Sequence, residues 1–258
     1  MNILITGGAA GLGKEITNLF YKDGHEVFIL SRTNPDNLPN HFECDVSDGL
    51  QVKNTVEKIT REGRVIDILI NNSGIGINGA LEYASNESFH KCMDVNFDGV
   101  FYLCKYVIPY LSEKGKIINI SSAAGLFPLP FKSIYCASKA AVNALTFSLY
   151  NELSGTDIQV CAICPGDIKS GFSKNRIKEF ETNEKYGDRI KNAAEKLDAK
   201  EEKRMPAAVA AKKIYKIINK RKLPVIKIIG FKYKIFYLAQ KLLPAKCFLN
   251  MTNKKLGK

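Results

Sequence analysis

The stretch Thr6-Gly7-Gly8-Ala9-Ala10-Gly11-Leu12-Gly13 decides how the rest of the chain is read. An apolar run, Ile3–Ile5, leads into it, and an amphipathic stretch, Leu12–Asp23, leaves it at once. Glycines at 7, 11 and 13 permit tight backbone turns and let the main chain approach a ligand that a Cβ would push away. Strand, glycine loop and helix in immediate succession gather backbone N–H groups at the positive end of a helix. That makes an anion site suited to a pyrophosphate.

Working outward, short apolar runs at Val27–Leu30, Ile66–Ile70, Lys116–Ile120, Ile158–Ile163 and Val225–Ile229 alternate with longer stretches of helical pattern. The latter are Asp48–Arg61, Asn86–Leu111, Ile134–Leu153 and Pro206–Lys220. This alternation predicts an α/β fold, a doubly wound, Rossmann-like parallel sheet covered on both faces. Ligands then collect at the carboxyl ends of the strands, where the strand order reverses. Residues 1–230 read as one domain carrying this unit. Residues 166–204 are polar and charged, and they leave the ligand-bearing edge, so we expect a lid over the substrate there.

With 258 residues, 45% apolar and 25% charged, the composition is that of a globular chain and excludes wholesale disorder or a collagen-like polymer. Seven scattered cysteines do not make a disulfide scaffold. Asn2-Ile3-Leu4-Ile5 already reads as a strand, without a charged lead or cleavage site, so reduced thiols and a cytoplasmic location are expected. The net charge of +12 is concentrated at one end: residues 200–258 hold 17 Lys/Arg against Glu201 and Glu202.

The loop spacing TGxxxGxG resembles the fingerprint of the short-chain dehydrogenase/reductase family, and other positions agree with it in order. Asp45-Val46 follows the third strand, Asn71-Asn72-Ser73-Gly74 follows the fourth, and Asn96 lies in Asp94-Val95-Asn96. Ser121-Ser122 ends the fifth strand, Tyr135-Cys136-Ala137-Ser138-Lys139 is the family's YxxxK, and Pro165-Gly166 closes the sixth. The resemblance spans residues 2 to about 222. It implies hydride transfer between a nicotinamide and a carbonyl or secondary alcohol, with Asn96, Ser122, Tyr135 and Lys139 as catalytic group. It also implies cofactor contacts from Gly7, Ala9, Ala10, Gly11, Leu12, Gly13, Ser31, Arg32, Asp45, Val46, Asn72, Ser73 and Gly74. Tyr135, Lys139, Pro165, Gly166, Ile168 and Ser170 complete the implied set.

The residue chemistry supports that implication. Tyr135 and Lys139 are four apart on a predicted helix and share a face. A nearby ammonium favours the phenolate, so we expect Lys139 to draw the tyrosine pKa down from about 10 toward the working range. By period-2 alternation only one of Ser121 and Ser122 faces the cleft, and the family spacing, 13 residues before Tyr135, selects Ser122. Ser122 would polarise the carbonyl, and Asn96 would complete a proton relay to the lysine.

At the end of the second strand an acid would accept the ribose 2′-OH of NAD. Ser31-Arg32 stands there instead, and a guanidinium clamps a phosphate, so NADP(H) is favoured over NAD(H). The position before the second loop glycine, basic in many NADP-using relatives, is Ala10. Cys161 and Cys164 form CxxC inside a predicted buried strand, and His25, His41 and His90 are scattered, so no metal site is expected.

Lys227–Lys258 contains no acid, and Phe231, Ile235, Leu238, Leu242, Ala245 and Leu249 recur at helical intervals. Pro244 interrupts the pattern, and no apolar run approaches the ~18 residues of a membrane span. We therefore expect residues 231–258 to form one or two basic amphipathic helices. They would lie on an anionic membrane surface as a peripheral contact, or pack on the body as a lid or homo-oligomer interface; nucleic acid is disfavoured because no nucleic-acid module accompanies the charge. The uncharged loop Ala123–Phe131 suits an apolar, lipid-like or steroid-like substrate, with Lys132 just beyond it as the one nearby cation. Alternatives are a reductase of small soluble carbonyls and a non-catalytic NADP(H)-binding interaction protein.

Overall fold

The computed structural model describes residues 1–172, 176–179, 181, 183–198 and 204–256. Its centre is a parallel sheet of seven strands: β1 (Asn2–Thr6), β2 (Glu26–Ser31), β3 (His41–Glu43), β4 (Ile66–Asn71), β5 (Leu111–Ile120), β6 (Gln159–Pro165) and β7 (Ile226–Ile229). In space they run β7-β6-β5-β4-β1-β2-β3. The chain builds outward from β1 to β3, then returns to the other side of β1 with β4, so the switch in order falls between β1 and β4. In-register pairs such as Ile5 with Ile29 and with Ile70, and Ile118 with Cys161, keep the apolar rows aligned.

Strands buried on both faces need helices on both. On one side α1 (Gly11–Lys22) and α7 (Ala207–Ile218) send Ile16, Phe20, Ile214 and Ile218 against Ile3, Ile5 and Ile163. On the other, α2 (Gly49–Ile59), α4 (Gly99–Val107) and α5 (Ser133–Glu152) pack Val52, Leu103 and Val142 against Leu4, Leu69 and Ile117. Phe20 is fully buried, which contributes about 1.5–3 kcal/mol. The expected doubly wound fold is thus present.

Two local expectations need correction. The helical pattern at Asn86–Leu111 is not one helix: α3 (Asn86–Met93) passes through a π-turn at Asp94–Asp98 into α4, and Leu111 already belongs to β5. Such a turn inserts an extra residue, and here it surrounds Asn96. Of the polar connection 166–204, residues 173–175, 180, 182 and 199–203 lie outside the described residues. The rest carries α6 (Arg189–Asp198) and is anchored by two short parallel pairs. Ile177–Glu179 pairs with Ile77–Gly79, and Ile168–Lys169 with Met205–Pro206.

The basic end forms α8 (Phe231–Leu242) and α9 (Ala245–Leu256). Their inner face packs on the body: Tyr233, Phe236 and the buried Phe248 cluster around Phe127, and the Gln240 amide donates to the Leu126 carbonyl at 2.8 Å. The apolar stripe read from the sequence is the outer face, with Phe231 78% and Leu242 74% exposed. Among the described residues no helix is long and apolar enough to cross a membrane.

Candidate active site

One cavity of about 600 Å³ opens at the carboxyl ends of the strands, beside the switch in strand order. Its floor is the β1–α1 loop. Gly7 and Gly11 have φ of 62° and 51°, in the left-handed region that favours glycine. A Cβ on Gly11 would stand 2.7 Å from the Ser170 carbonyl oxygen, and one on Gly13 2.1 Å from that of Gly7. Ala10, at the cap position of α1, has no side-chain acceptor, so the first helical N–H groups face the cavity without a side-chain partner. The cradle therefore takes backbone and an anion but no added side-chain atom, and it fits a pyrophosphate. Gly7, Ala10, Gly11, Leu12 and Gly13 all line it. Ala9 is not among the lining residues: it is 2% exposed and packs its methyl group into the core.

Thr6 fastens this loop to the next. Its Oγ1 accepts from the backbone N–H of Asn72 and of Ser73, both at 2.9 Å, while the Asn72 amide donates to the Thr6 carbonyl at 3.0 Å. Asn72, Ser73 and Gly74 are thereby laid along the cavity wall. At one end stand Ser31 and the exposed Arg32, then Asp45 and Val46. Ser31 Oγ donates to the Thr33 carbonyl at 2.9 Å. An exposed ion pair, Lys14–Asp36 at 2.7 Å, ties the segment after Arg32 to α1. Pro165, Gly166, Ile168 and Ser170 close the opposite wall.

Tyr135 and Lys139 enter from α5, and Ser122 follows β5; all three line the cavity. The Ser122 hydroxyl neighbours the Tyr135 phenol, and its oxygen accepts from the Ala124 N–H at 3.1 Å. Against the expectation that only one would face the cleft, both serines line the cavity, because the strand ends at Ile120 and its alternation stops there; Ser121 donates its hydroxyl to the Lys139 carbonyl at 3.0 Å. Lys139 Nζ donates to the Ile120 carbonyl at 3.1 Å. Asn96 is fully buried behind the wall. It accepts from the Ile75 N–H at 2.8 Å, and donates to the Ile75 carbonyl at 2.9 Å and to Ser138 Oγ at 3.0 Å. A Cβ on Gly74 would lie 3.1 Å from Asn96 Oδ1 and 3.3 Å from Lys139 Nζ, which places these two groups side by side.

The electrostatics correct one expectation. Burial pushes Tyr135 up to about 12, opposed by the neighbouring Ser122 hydroxyl and the Arg176 guanidinium. Lys139 does not lower it: burial pushes the lysine itself down to about 8. Desolvation outweighs the pairing that helical spacing implied. Cys161 and Cys164 face different apolar clusters, as three-residue spacing on a strand dictates, and burial pushes both thiols up to about 12.

Sequence reasoning missed Asp167, Phe172, Arg176, Arg204 and Tyr233, which also line the cavity. They come from the polar connection and from α8, where no motif marks them. The first four lie in the connection expected as a lid over the substrate, and Tyr233 lies off the apolar stripe of its helix.

A family model described as short chain dehydrogenase matches residues 1–181. The 3-ketodihydrosphingosine reductase of Bacteroides thetaiotaomicron is 41% identical over 192 residues, covering 72% of this chain and 71% of that protein. A probable short-chain type dehydrogenase/reductase of Helicobacter pylori, VdlC, is 31% identical and spans 95% of this chain and 94% of its own. Among solved structures, the closed form of serine dehydrogenase complexed with NADP+ is 26% identical with a TM-score of 0.75, covering 89% of this chain and 94% of that one.

Proposed function

The chain belongs to the short-chain dehydrogenase/reductase family of oxidoreductases, and from that premise we propose that it is an NADP(H)-dependent reductase of a carbonyl compound with an apolar portion. The observation that carries the proposal is the single cavity joining the glycine cradle, Arg32 and the Ser122–Tyr135–Lys139 group. The N–H groups of the cradle would hold the pyrophosphate, Arg32 the 2′-phosphate, Asp45 and Val46 the adenine, and Lys139 the nicotinamide ribose. Asn72 to Gly74, Pro165, Gly166, Ile168 and Ser170 would flank the ring end. The bound nicotinamide supplies or accepts the hydride.

Tyr135 gives its proton to the carbonyl oxygen in reduction and takes one from the hydroxyl in oxidation. A phenol pushed up to about 12 keeps that proton at neutral pH. Ser122, beside Tyr135 on the cavity wall, offers its hydroxyl to the same oxygen. Asn96 acts on position: by gripping both backbone groups of Ile75 it sets the segment beside the Lys139 ammonium. The walls beyond Ser122 are apolar, with Ala123, Phe127, Leu129 and Phe172. At the surface, α8 presents Phe231, Ile235, Leu238 and Leu242 among lysines, which supports docking on an anionic membrane from the cytoplasmic side.

Arg32→Asp tests the cofactor assignment. It replaces the guanidinium at the ribose end with an acceptor for a 2′-hydroxyl. NADPH kcat/KM should fall about 100-fold while NADH improves or holds. An unchanged NADPH preference would remove Arg32 from the reading.

A further inference from the structure

The tail helix that presents the exposed apolar stripe also sends one side chain the other way, into the catalytic cavity. Tyr233 stands in the first turn of α8 and lines the cavity together with Gly166 and Asp167. It lies outside residues 1–181, the part of the chain that the family model matches. Two glycines make room for it. A Cβ on Gly166 would fall within 2.6 Å of three atoms of the Tyr233 ring, so the ring rests on bare backbone there. Gly230, just ahead of α8, has a φ of 108°, which favours glycine, and a Cβ on it would come within 2.8 Å of the same ring.

The hydroxyl grips the next residue twice. It donates to the Asp167 carboxylate at 2.6 Å and accepts from the Asp167 backbone N–H at 3.2 Å. Burial first, and then the Asp167 charge, push the phenol up, so at neutral pH it remains a donor to that carboxylate. The grip falls where the chain leaves the sheet. Gly166 still donates its N–H to the Ile229 carbonyl of β7 at 3.0 Å, and Ile168–Lys169 already pairs with Met205–Pro206. Asp167 lies between, its carbonyl accepting from the Met205 N–H at a long 3.4 Å. Farther on, the Ser170 carbonyl meets the glycine cradle, 2.7 Å from where a Gly11 Cβ would stand. The Tyr233 ring also runs parallel to that of Phe127, at 5° with centroids 6.3 Å apart, and Phe127 belongs to the loop that follows Ser122. One phenol thus ties the wall after β6 to the loop after β5.

We propose that Tyr233 is a positioning residue for the nicotinamide end of the cofactor. Through Gly166 and Asp167 it sets the wall of residues 165–170 that flanks the ring, and so the aim of the ring at the substrate carbon. The inference rests on the cofactor placement proposed above. Misplacing reacting groups by about 1 Å costs about 100-fold in rate, so a wall freed at Asp167 slows hydride transfer without emptying the cradle. The tail helix is then part of the catalytic cavity, with one face to the site and the other to the surface.

The test compares wild type with Tyr233→Phe, which leaves a ring on Gly166 and Phe127 and removes both bonds to Asp167. The probe is NADPH, with saturation set by calorimetry, which also shows that the variant is folded. In the wild type, nicotinamide emission should shift to the blue and strengthen relative to free NADPH, and in the variant it should return part of the way. On a carbonyl that the wild type reduces, kcat should fall about 10- to 100-fold while the carbonyl KM stays within about threefold. A ring that only fills space predicts neither change. Wild-type emission from the variant complex, or a kcat within about threefold of wild type, overturns the proposal. If the wild type does not bind NADPH, or binds it with the emission of free NADPH, the cofactor placement fails and the proposal with it. If NADPH binds but no carbonyl oxidises it, the reductase reading fails, and the emission comparison alone decides the role of Tyr233.

Discussion

Gly13→Ala probes the cradle at its tightest point. The new Cβ would lie 2.1 Å from the Gly7 carbonyl oxygen and 2.6 Å from Asn72 Nδ2, where ordinary contact begins at 3.4 Å. The loop and α1 must part by about 1.3 Å, and the two atoms in the way are fixed by bonding rather than free to swing. Overpacking of this kind costs about 1–3 kcal/mol. Pushing Asn72 aside also strains its bonds to the Thr6 and Gly7 carbonyls, at 3.0 and 3.3 Å, each worth about 1 kcal/mol. The sum, about 3–5 kcal/mol, corresponds to a fall in Tm of about 6–20 °C for a protein of this size. If the loop yields instead of melting, the N–H groups lose their aim, and loss of one charge-assisted bond weakens NADPH binding about 10- to 100-fold. Thermal unfolding and fluorescence titration with NADPH measure both. Gly24→Ala is the control: its φ of 74° makes alanine strained, but nothing lies within 4 Å, so stability should drop with NADPH affinity unchanged. A Gly13→Ala protein with wild-type Tm and NADPH affinity within about threefold would refute the cradle.

Two further outcomes follow from the electrostatics and the surface. Below about pH 8 Lys139 is charged and Tyr135 holds its proton, so kcat/KM for reduction should be level through the neutral range and fall as pH rises past about 8. Oxidation, which needs the phenolate, should rise over the same interval; a reduction rate that climbs there contradicts the assignment. Sedimentation with vesicles tests the outer face of α8, where Leu238 and Leu242 are 58% and 74% exposed. Anionic vesicles should carry the wild type down, and Leu238→Asp with Leu242→Asp should weaken the binding about thirtyfold or more, since each apolar burial is worth about 1 kcal/mol or more. Equal retention of both proteins would remove the membrane from the account.

The frame of the site was legible because its signals are local. β1, the glycine loop and α1 are contiguous, and the YxxxK pair sits within one helical turn. What escaped depended on packing. The apolar pattern runs smoothly through Asp94–Asp98, so the π-turn around Asn96 leaves no trace in periodicity. Ala9 looks like its loop neighbours in sequence, yet its methyl group faces the core. The direction of the Tyr135 shift follows from burial, which residue spacing does not encode. Arg176 and Arg204 are brought to the cavity by strand pairs of two or three residues, too short to read from an irregular, polar connection. The tail shows the same limit: a stripe at helical spacing marks a face, and only the packing of Tyr233, Phe236 and Phe248 reveals that the stripe is the outer one.

The central claim is that this cavity reduces a carbonyl through Tyr135. The most direct measurement follows NADPH absorbance against a panel of apolar, amphiphilic and small polar carbonyls, with wild type and Tyr135→Phe side by side. Removing one hydroxyl leaves the cradle and cofactor contacts intact, so the variant should bind NADPH as the wild type does and lose about 100- to 10,000-fold in kcat. A Tyr135→Phe protein that turns over the same carbonyls at the wild-type rate would contradict the account.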